Sequence, residues 1–351
     1  MRRRLALVLL VVAGCGGANH SPQLTTAVEA GVAAGVPGAL ALVREGDRID
    51  VTEAGYADAA AHVNMQPAAR FRAASVTKLF VATVVLQLVA EGRLRLDEPV
   101  SHLLPDLLPD GGRITIRELL AHRSGLADVA DDPEVLDGAR STWPPRRLIA
   151  LAAALPRTTA PDGAFRYSST NYLVLGLVIE RVTGRGLASQ LRSRIIERLG
   201  LADTTFTPGR IAGSHVHGYT LPAHQGVVDP TAEPRDLDTR SAAWAWAAGD
   251  LVSSARDLAR FLAALLEGEL LPRAQLRAME HLQSRYGLGL AVYRTRCGLA
   301  WGHTGNLNGV LTIAWSRRDG SRQAVVVANV YPLAAAADLA LRRAAVTAFC
   351  G

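Results

Sequence analysis

Phe71-Arg-Ala-Ala-Ser75-Val-Thr-Lys78-Leu-Phe-Val-Ala-Thr-Val-Val-Leu-Gln-Leu-Val-Ala90 is the stretch on which the reading of this chain turns. Lys and Arg together number 38, and Lys78 is the only lysine, so the other 37 are arginines. Arginine stays protonated in proteins, whereas a desolvated lysine lowers its pKa and accepts a proton. The apolar run after Ser75 predicts a long buried helix. Residues i and i+3 share a helix face, which puts Lys78 beside Ser75 at the helix start. Free N–H groups and the macrodipole favour developing negative charge there. A neutral lysine next to a serine hydroxyl is one way to activate a nucleophile. Taken alone, Ser-x-x-Lys reads equally well as an N-cap serine followed by a surface lysine.

The 351 residues are 49% hydrophobic and 20% charged, which suits a globular chain of one large or two medium domains. Arg2, Arg3 and Arg4 precede a short apolar stretch, Leu5 to Val12. That stretch is too short for a membrane span, so residues 1–14 read as a signal peptide. Val12-Ala-Gly-Cys15 resembles a lipoprotein lipobox, in which cleavage leaves Cys15 as a lipidated N-terminus. The alternative is an ordinary secretory signal with an incidental cysteine. Either way the mature protein is expected outside the cytoplasm, and a lipid would anchor it without spanning the membrane. The net charge of +6 falls to +3 without the three signal arginines. No arginine cluster interleaves with aromatics, so nucleic acid is not an expected partner. Cys297 and Cys350 read, in an exported chain, as a disulfide tying the C-terminal helix to a strand. Two buried thiols are the alternative, and the spacing excludes a CxxC metal or redox site.

Residues 15–24 read as a polar tether. Pro37 to Arg44 and Ile49 to Gly55 alternate around a Glu-Gly-Asp turn and predict a hairpin. Helix signals and prolines dominate from about 86 to 239. Strand signals return at Tyr286 to Leu290, Gly309 to Trp315 and Gln323 to Asn329, before a final helix. Strands at both chain ends predict one sheet domain built from 25–85 and 240–351, with 86–239 as a mainly helical domain. The expected class is α/β (α+β).

Two further motifs accompany Ser75-Val-Thr-Lys78. Tyr167-Ser-Ser169 precedes a predicted helix, and Trp301-Gly-His303-Thr304-Gly305-Asn306 leads into a predicted strand. This three-part pattern belongs to penicillin-binding proteins and β-lactamases. With Val36-Pro-Gly38, Leu86 to Asp97, His122-Arg-Ser-Gly-Leu126 and Ala248 to Ser253, it resembles the serine DD-peptidase and class C β-lactamase family over about 22–351. Within that family it looks most like secreted actinobacterial D-alanyl-D-alanine carboxypeptidases. The resemblance implies a β-lactamase/transpeptidase-like fold, an antiparallel sheet flanked by helices plus an all-helical insertion domain.

It also implies roles. Ser75 would form an acyl-enzyme and Lys78 would shuttle its proton. Tyr167, its phenol depressed by nearby positive charge, would pass that proton to the leaving amine. His303, where lysine is common, could add charge or orient Tyr167. Thr304 would bind the substrate carboxylate, and the N–H groups of Ser75 and Asn306 would form an oxyanion hole. Trp244 is a candidate acyl-pocket wall, with only one of Trp244 and Trp246 expected to face the site. Arg294 is the nearest candidate by position for binding a substrate carboxylate. One departure stands out: Ser169 occupies a position usually held by asparagine, with Asn171 no evident substitute. The expected activity is that of a D-alanyl-D-alanine carboxypeptidase acting on peptidoglycan stem peptides ending in D-Ala-D-Ala and acylated by penicillins. A β-lactamase, an esterase or D-amino-acid amidase, and a penicillin-binding lipoprotein with little turnover are the alternatives. A monomer without metal or other cofactor is expected.

Overall fold

The computed structural model describes residues 21–136, 142–207, 209, 211–224, 227–238, 240–307 and 309–351. The segment read above as a signal peptide, and Cys15, lie outside the described residues.

Strand β1 (Gly38–Glu45) is buried from Gly38 to Leu42, and its side chains divide by parity between two cores. Leu40 and Leu42 enter one, Ala39 and Ala41 the other. A strand covered on both faces reads as a nearly continuous apolar run, as this one does. It pairs on one side with β2 (Arg48–Asp58), and β2 in turn with the short β3 (Val63–Asn64). The remaining strands come from the far end of the chain: β4 (Ala291–Thr295), β5 (Gly298–Leu307), β6 (Val310–Ser316) and β7 (Arg322–Ala328). The antiparallel order is β4-β5-β6-β7-β1-β2-β3, with Ala39 opposite Ala328 where the two ends of the chain meet.

Helices α1 (Pro22–Ala33) and α5 (Ala335–Cys350) cover one face, packing Leu24, Val28 and Leu341 against Ala39, Ala41 and Val326. The opposite face carries the larger core. Three helices meet there: α2 (Thr77–Ala90), α3 (Thr170–Thr183) and α4 (Ala255–Leu266). Every residue of α2 from Thr77 to Leu88 is buried, which explains its lack of a polar face. Phe80 stacks on Phe261 of α4 at 3.7 Å between ring centroids.

Two details differ from the sequence reading. Tyr286 to Leu290 is not a strand but a loop with isolated bridges, and the strand begins at Ala291. Gly289 has φ +86°, and a Cβ there would lie 2.3 Å from Ala82 Cβ, so the backbone bends tightly over α2 and leaves the ladder. The region 86–239 also holds short strands, among them Thr205–Phe206, Tyr219–Thr220 and Arg235–Asp236. Thr205–Phe206 joins Arg70–Arg72 and Leu251–Ser254 in a second, three-stranded sheet. That small sheet fixes the chain just before Ser75 against the chain just after Ala248.

Candidate active site

Ser75 lies in a 3-10 turn, Ala74–Val76, and α2 proper begins at Thr77. Ala74 has a left-handed φ of 50°, a strained conformation for a residue with a side chain. Thr77 holds the turn in place: its hydroxyl donates to Ala74 O at 2.7 Å and accepts from Leu251 N at 3.1 Å. One helical turn on, Lys78 is completely buried. Its Nζ sits 3.0 Å from Ser75 Oγ and donates to Ala248 O at 2.7 Å. Among the described residues no carboxylate forms an ion pair with it, and burial drives its pKa down to about 7, partly offset by the charge of Asp128. A lysine half-neutral near pH 7, in contact with a serine hydroxyl, can take that hydroxyl's proton.

Tyr167 closes the other side of Ser75, with Lys78 Nζ 5.0 Å from its ring centroid and the Ser75 hydroxyl as hydrogen-bond partner. Burial raises its pKa, and the Ser75 bond only partly offsets this. Its ring is 39% exposed toward the cleft, so water weakens that push without reversing it. The direction is opposite to the depression inferred from sequence, because burial of the phenol dominates and the nearby lysine is itself only partly charged near pH 7. Tyr167 is therefore a proton donor in the resting site rather than a standing anion.

His303 corrects a second expectation. It lies in β5 and is buried, and burial together with nearby Lys78 lowers its pKa to about 3, so it adds no charge. Its Nδ1–H donates to Thr304 O, which leaves Nε2 to accept from Tyr286 Oη at 3.1 Å. Its hydrogen bond thus goes to Tyr286 and not to Tyr167, whose ring centroid is 6.2 Å from its own. Thr304 is held by Tyr293 of β4, whose hydroxyl lies 3.1 Å from both Oγ1 and the backbone N.

Gly305 lets β5 reach Ser75. A Cβ there would meet Ser75 N at 2.5 Å and Ala73 O at 3.0 Å, so only glycine allows the approach. That approach sets the strand segment Gly305–Asn306 beside the Ser75 amide, the arrangement an oxyanion hole requires.

These elements enclose a cavity of about 470 Å³ lined by Ser75, Tyr167, Ser169, Trp244, His303, Thr304 and Asn306, with Lys78 beneath it. Trp246 points away, packing against Gly176 of α3. Asn171 is buried and bonded to Ser124 and His122, so it does not replace Ser169 in the cavity. Arg294 does not line the cavity; Arg285, exposed at its rim, does. A disulfide joins Cys297, at the β4–β5 turn, to Cys350 at the end of α5.

Two contributors were not singled out from sequence. Asp128 lines the cavity, and its Oδ2 accepts from Ser169 Oγ at 3.4 Å. His122 is fully buried beneath Tyr167, stacked on it at 4.3 Å, with Tyr172 and Tyr286 at 5.3 and 4.9 Å. Its Nδ1 accepts from Ser168 N at 3.2 Å, and burial with the nearby Lys78 holds it neutral. His122 opens the His-Arg-Ser-Gly-Leu block, so that block was the available signal for it. Asp128, just beyond the block, carried none.

A nucleophile, a buried lysine and a tyrosine around one cleft define an acyl-transferring serine hydrolase site. The family model described as Beta-lactamase matches residues 24–349, and the chain belongs to that family. It is similar in structure to a D-stereospecific amidohydrolase from Streptomyces sp., with 34% identity and a TM-score of 0.82. That match covers 92% of this chain and 97% of the other. It is 36% identical to esterase EstB of Burkholderia gladioli over 55% of this chain, spanning about half (52%) of that relative's length. It is 29% identical to penicillin-binding protein 4 of Amycolatopsis lactamdurans, over 76% of this chain and 70% of that protein.

Proposed function

We propose that this serine hydrolase cleaves amides of D-amino acids that carry a free α-amine, through an acyl-enzyme on Ser75. Asp128 carries this reading: it places a carboxylate in the cavity beside Ser169, where it can pair with an ammonium group on the acyl side of the substrate. The Streptomyces amidohydrolase supports the D-stereospecific part. In the proposed sequence neutral Lys78 takes the Ser75 proton as Oγ attacks the carbonyl. The developing oxyanion is held by the N–H groups of Ser75 and Asn306. Tyr167 gives its proton to the leaving nitrogen and regains one from Lys78. Thr304 and Trp244 would line the leaving-group and acyl sides. His303, His122 and Tyr286 act as positioning residues around Tyr167.

A second reading, a D-alanyl-D-alanine carboxypeptidase acting on peptidoglycan stem peptides, is favoured by Arg285 at the rim, which could meet a terminal carboxylate. The N-terminal segment supports an exported enzyme under either reading, and no helix among the described residues is long and apolar enough to cross a membrane.

The test compares D-alanine p-nitroanilide, its N-acetyl derivative and an N-acylated D-Ala-D-Ala peptide, with Ser75→Ala as the blank. The free amine should be preferred over its acetylated form at least tenfold in kcat/KM, and Asp128→Asn should remove that preference mainly through KM. Faster turnover of the acylated dipeptide would overturn the amidase reading in favour of the carboxypeptidase.

A further inference from the structure

The segment between the small sheet and Trp244 carries a cluster of histidine and aspartate that the reaction above does not use. His215 and His217 precede the strand Tyr219–Thr220, and Asp236 and Asp238 lie in and just after the strand Arg235–Asp236. These two strands pair antiparallel with Tyr219 opposite Asp236, and continuing that register sets His217 opposite Asp238. Asp58, the last residue of β2, closes the group from the main sheet.

The hydrogen-bond arithmetic of the two imidazoles is unusual. His215 Nδ1 lies 2.6 Å from Gly213 O, and its Nε2 lies 2.6 Å from Asp238 Oδ1. His217 Nδ1 lies 2.9 Å from Asp236 Oδ2, while its Nε2 faces Asp58 Oδ2 at 3.9 Å and Asp238 Oδ2 at 4.0 Å. Every one of these neighbours is an acceptor. A neutral imidazole has one N–H to give, and in both rings Nδ1 uses it on a carbonyl or carboxylate. Each Nε2 therefore faces carboxylate oxygens either with a second proton or with its lone pair, and in the second case a shared cation between them satisfies both sides.

The outer contacts match those of metal-ligating histidines, which commonly donate their second N–H to a carbonyl or carboxylate that fixes the tautomer. One ligand atom each from His215, His217 and Asp238 lies within 4.8 Å of the others. A four-coordinate ion with bonds of about 2.0–2.2 Å needs neighbouring ligand atoms roughly 3.3 Å apart. Side-chain rotations would therefore close the site around an ion without moving the paired strands. The four side chains are between 9% and 25% exposed, so solvent reaches the site and can complete the coordination. The charged groups facing it are Asp58, Asp236 and Asp238, with Arg72 beyond Asp238 and Arg70 holding Ala212 O and Ser214 O of the same loop.

We propose that His215, His217 and Asp238, with Asp58 as a fourth ligand, bind a divalent transition-metal ion of the zinc class. Two imidazoles exclude a site built for calcium or magnesium, which prefer all-oxygen shells. The ion would fasten the loop 211–218 and the strand Arg235–Asp236 to the end of β2. Tyr219 continues from this anchor into the main fold: its hydroxyl accepts from Ala59 N at 2.8 Å, and its own N donates to Asn329 O at 2.9 Å. The role is structural: none of the four residues lines the cavity at Ser75.

The test is titration of the metal-free protein with Co²⁺, followed by displacement with Zn²⁺. One equivalent of Co²⁺ should bind with a visible d–d band, Zn²⁺ should abolish the band, and Zn²⁺ should raise the melting temperature. His217→Ala and Asp238→Ala should weaken binding at least 100-fold. Asp236→Asn, which alters only the partner of His217 Nδ1, should weaken it about 10- to 100-fold. The circular-dichroism spectrum and the acyl-enzyme burst with p-nitrophenyl acetate should stay unchanged in all three and report that they fold. If His217→Ala does not fold, His215→Ala takes its place. No Co²⁺ band at a hundredfold excess would overturn the proposal, as would binding undiminished in these variants.

Discussion

Between pH 5 and 9 the rate at which Ser75 is acylated should follow the ionisation of Lys78. Burial lowers the Lys78 pKa from 10.5 to about 7. At pH 7 about half the molecules then hold a neutral lysine, against roughly one in 3,000 for an unperturbed side chain. At pH 5 only about 1% would be neutral, so acylation should run about 100-fold below its alkaline plateau. His303 and His122 do not obscure this inflexion, because His303 is lowered to about 3 and burial also drives His122 well down. The measurement is the burst of nitrophenol from p-nitrophenyl acetate, read at an isosbestic wavelength. That substrate has no amine, so its own titration cannot imitate the lysine's. Lys78→Arg, which keeps charge but gives up no proton, should lose about 10²–10⁴ in rate at every pH. An inflexion near 10, or a Lys78→Arg enzyme within tenfold of wild type, would refute the assignment of Lys78 as the base.

Lys78→Met should stabilise the protein at neutral pH while abolishing acylation. The folded-state pKa is depressed below the unfolded one, so the unfolded chain binds the extra proton. The cost of burying Lys78, roughly 5 kcal/mol at most, is full below pH 7 and disappears as pH rises to about 10.5. Urea unfolding at pH 7 and pH 10 should therefore show a gap between variant and wild type that narrows with pH. Gly305→Ala should lower acylation more than 100-fold and cost about 1–3 kcal/mol, because the new Cβ would meet backbone at Ser75 N. A fully active Gly305→Ala enzyme would deny the close approach of β5 to Ser75. Replacing Cys297 and Cys350 by serine opens a link across 53 residues, with an expected loss of about 4 kcal/mol in denaturant unfolding. An unchanged unfolding midpoint would show that the link does not constrain the unfolded chain.

Much of the site is local and was therefore readable. Ser75 and Lys78 are three residues apart at a helix start, and no tertiary contact is needed to bring them together. The alternating and continuous apolar runs of β1, β6 and β7 likewise named the sheet, and their positions at opposite chain ends implied how it closes. Sequence reasoning failed where glycine changed the path, as at Gly289, where five apolar and glycine residues looked like a strand but had to bend over α2.

By itself, then, the sequence determined the candidate nucleophile, the lysine beside it, the order of motifs and the sheet built from both ends, because helix and strand periodicity act over a few residues. Only the tertiary structure decided the protonation states. Ala248 O, 170 residues from Lys78, accepts from its amine, and the packed core around it removes the water that would hold its charge. The same desolvation raised the Tyr167 pKa, against the expected direction, and removed the charge that His303 could have added. It also brought Asp128 to Ser169 and His217 to Asp238, pairings set by chain crossings and strand register, which no local pattern encodes.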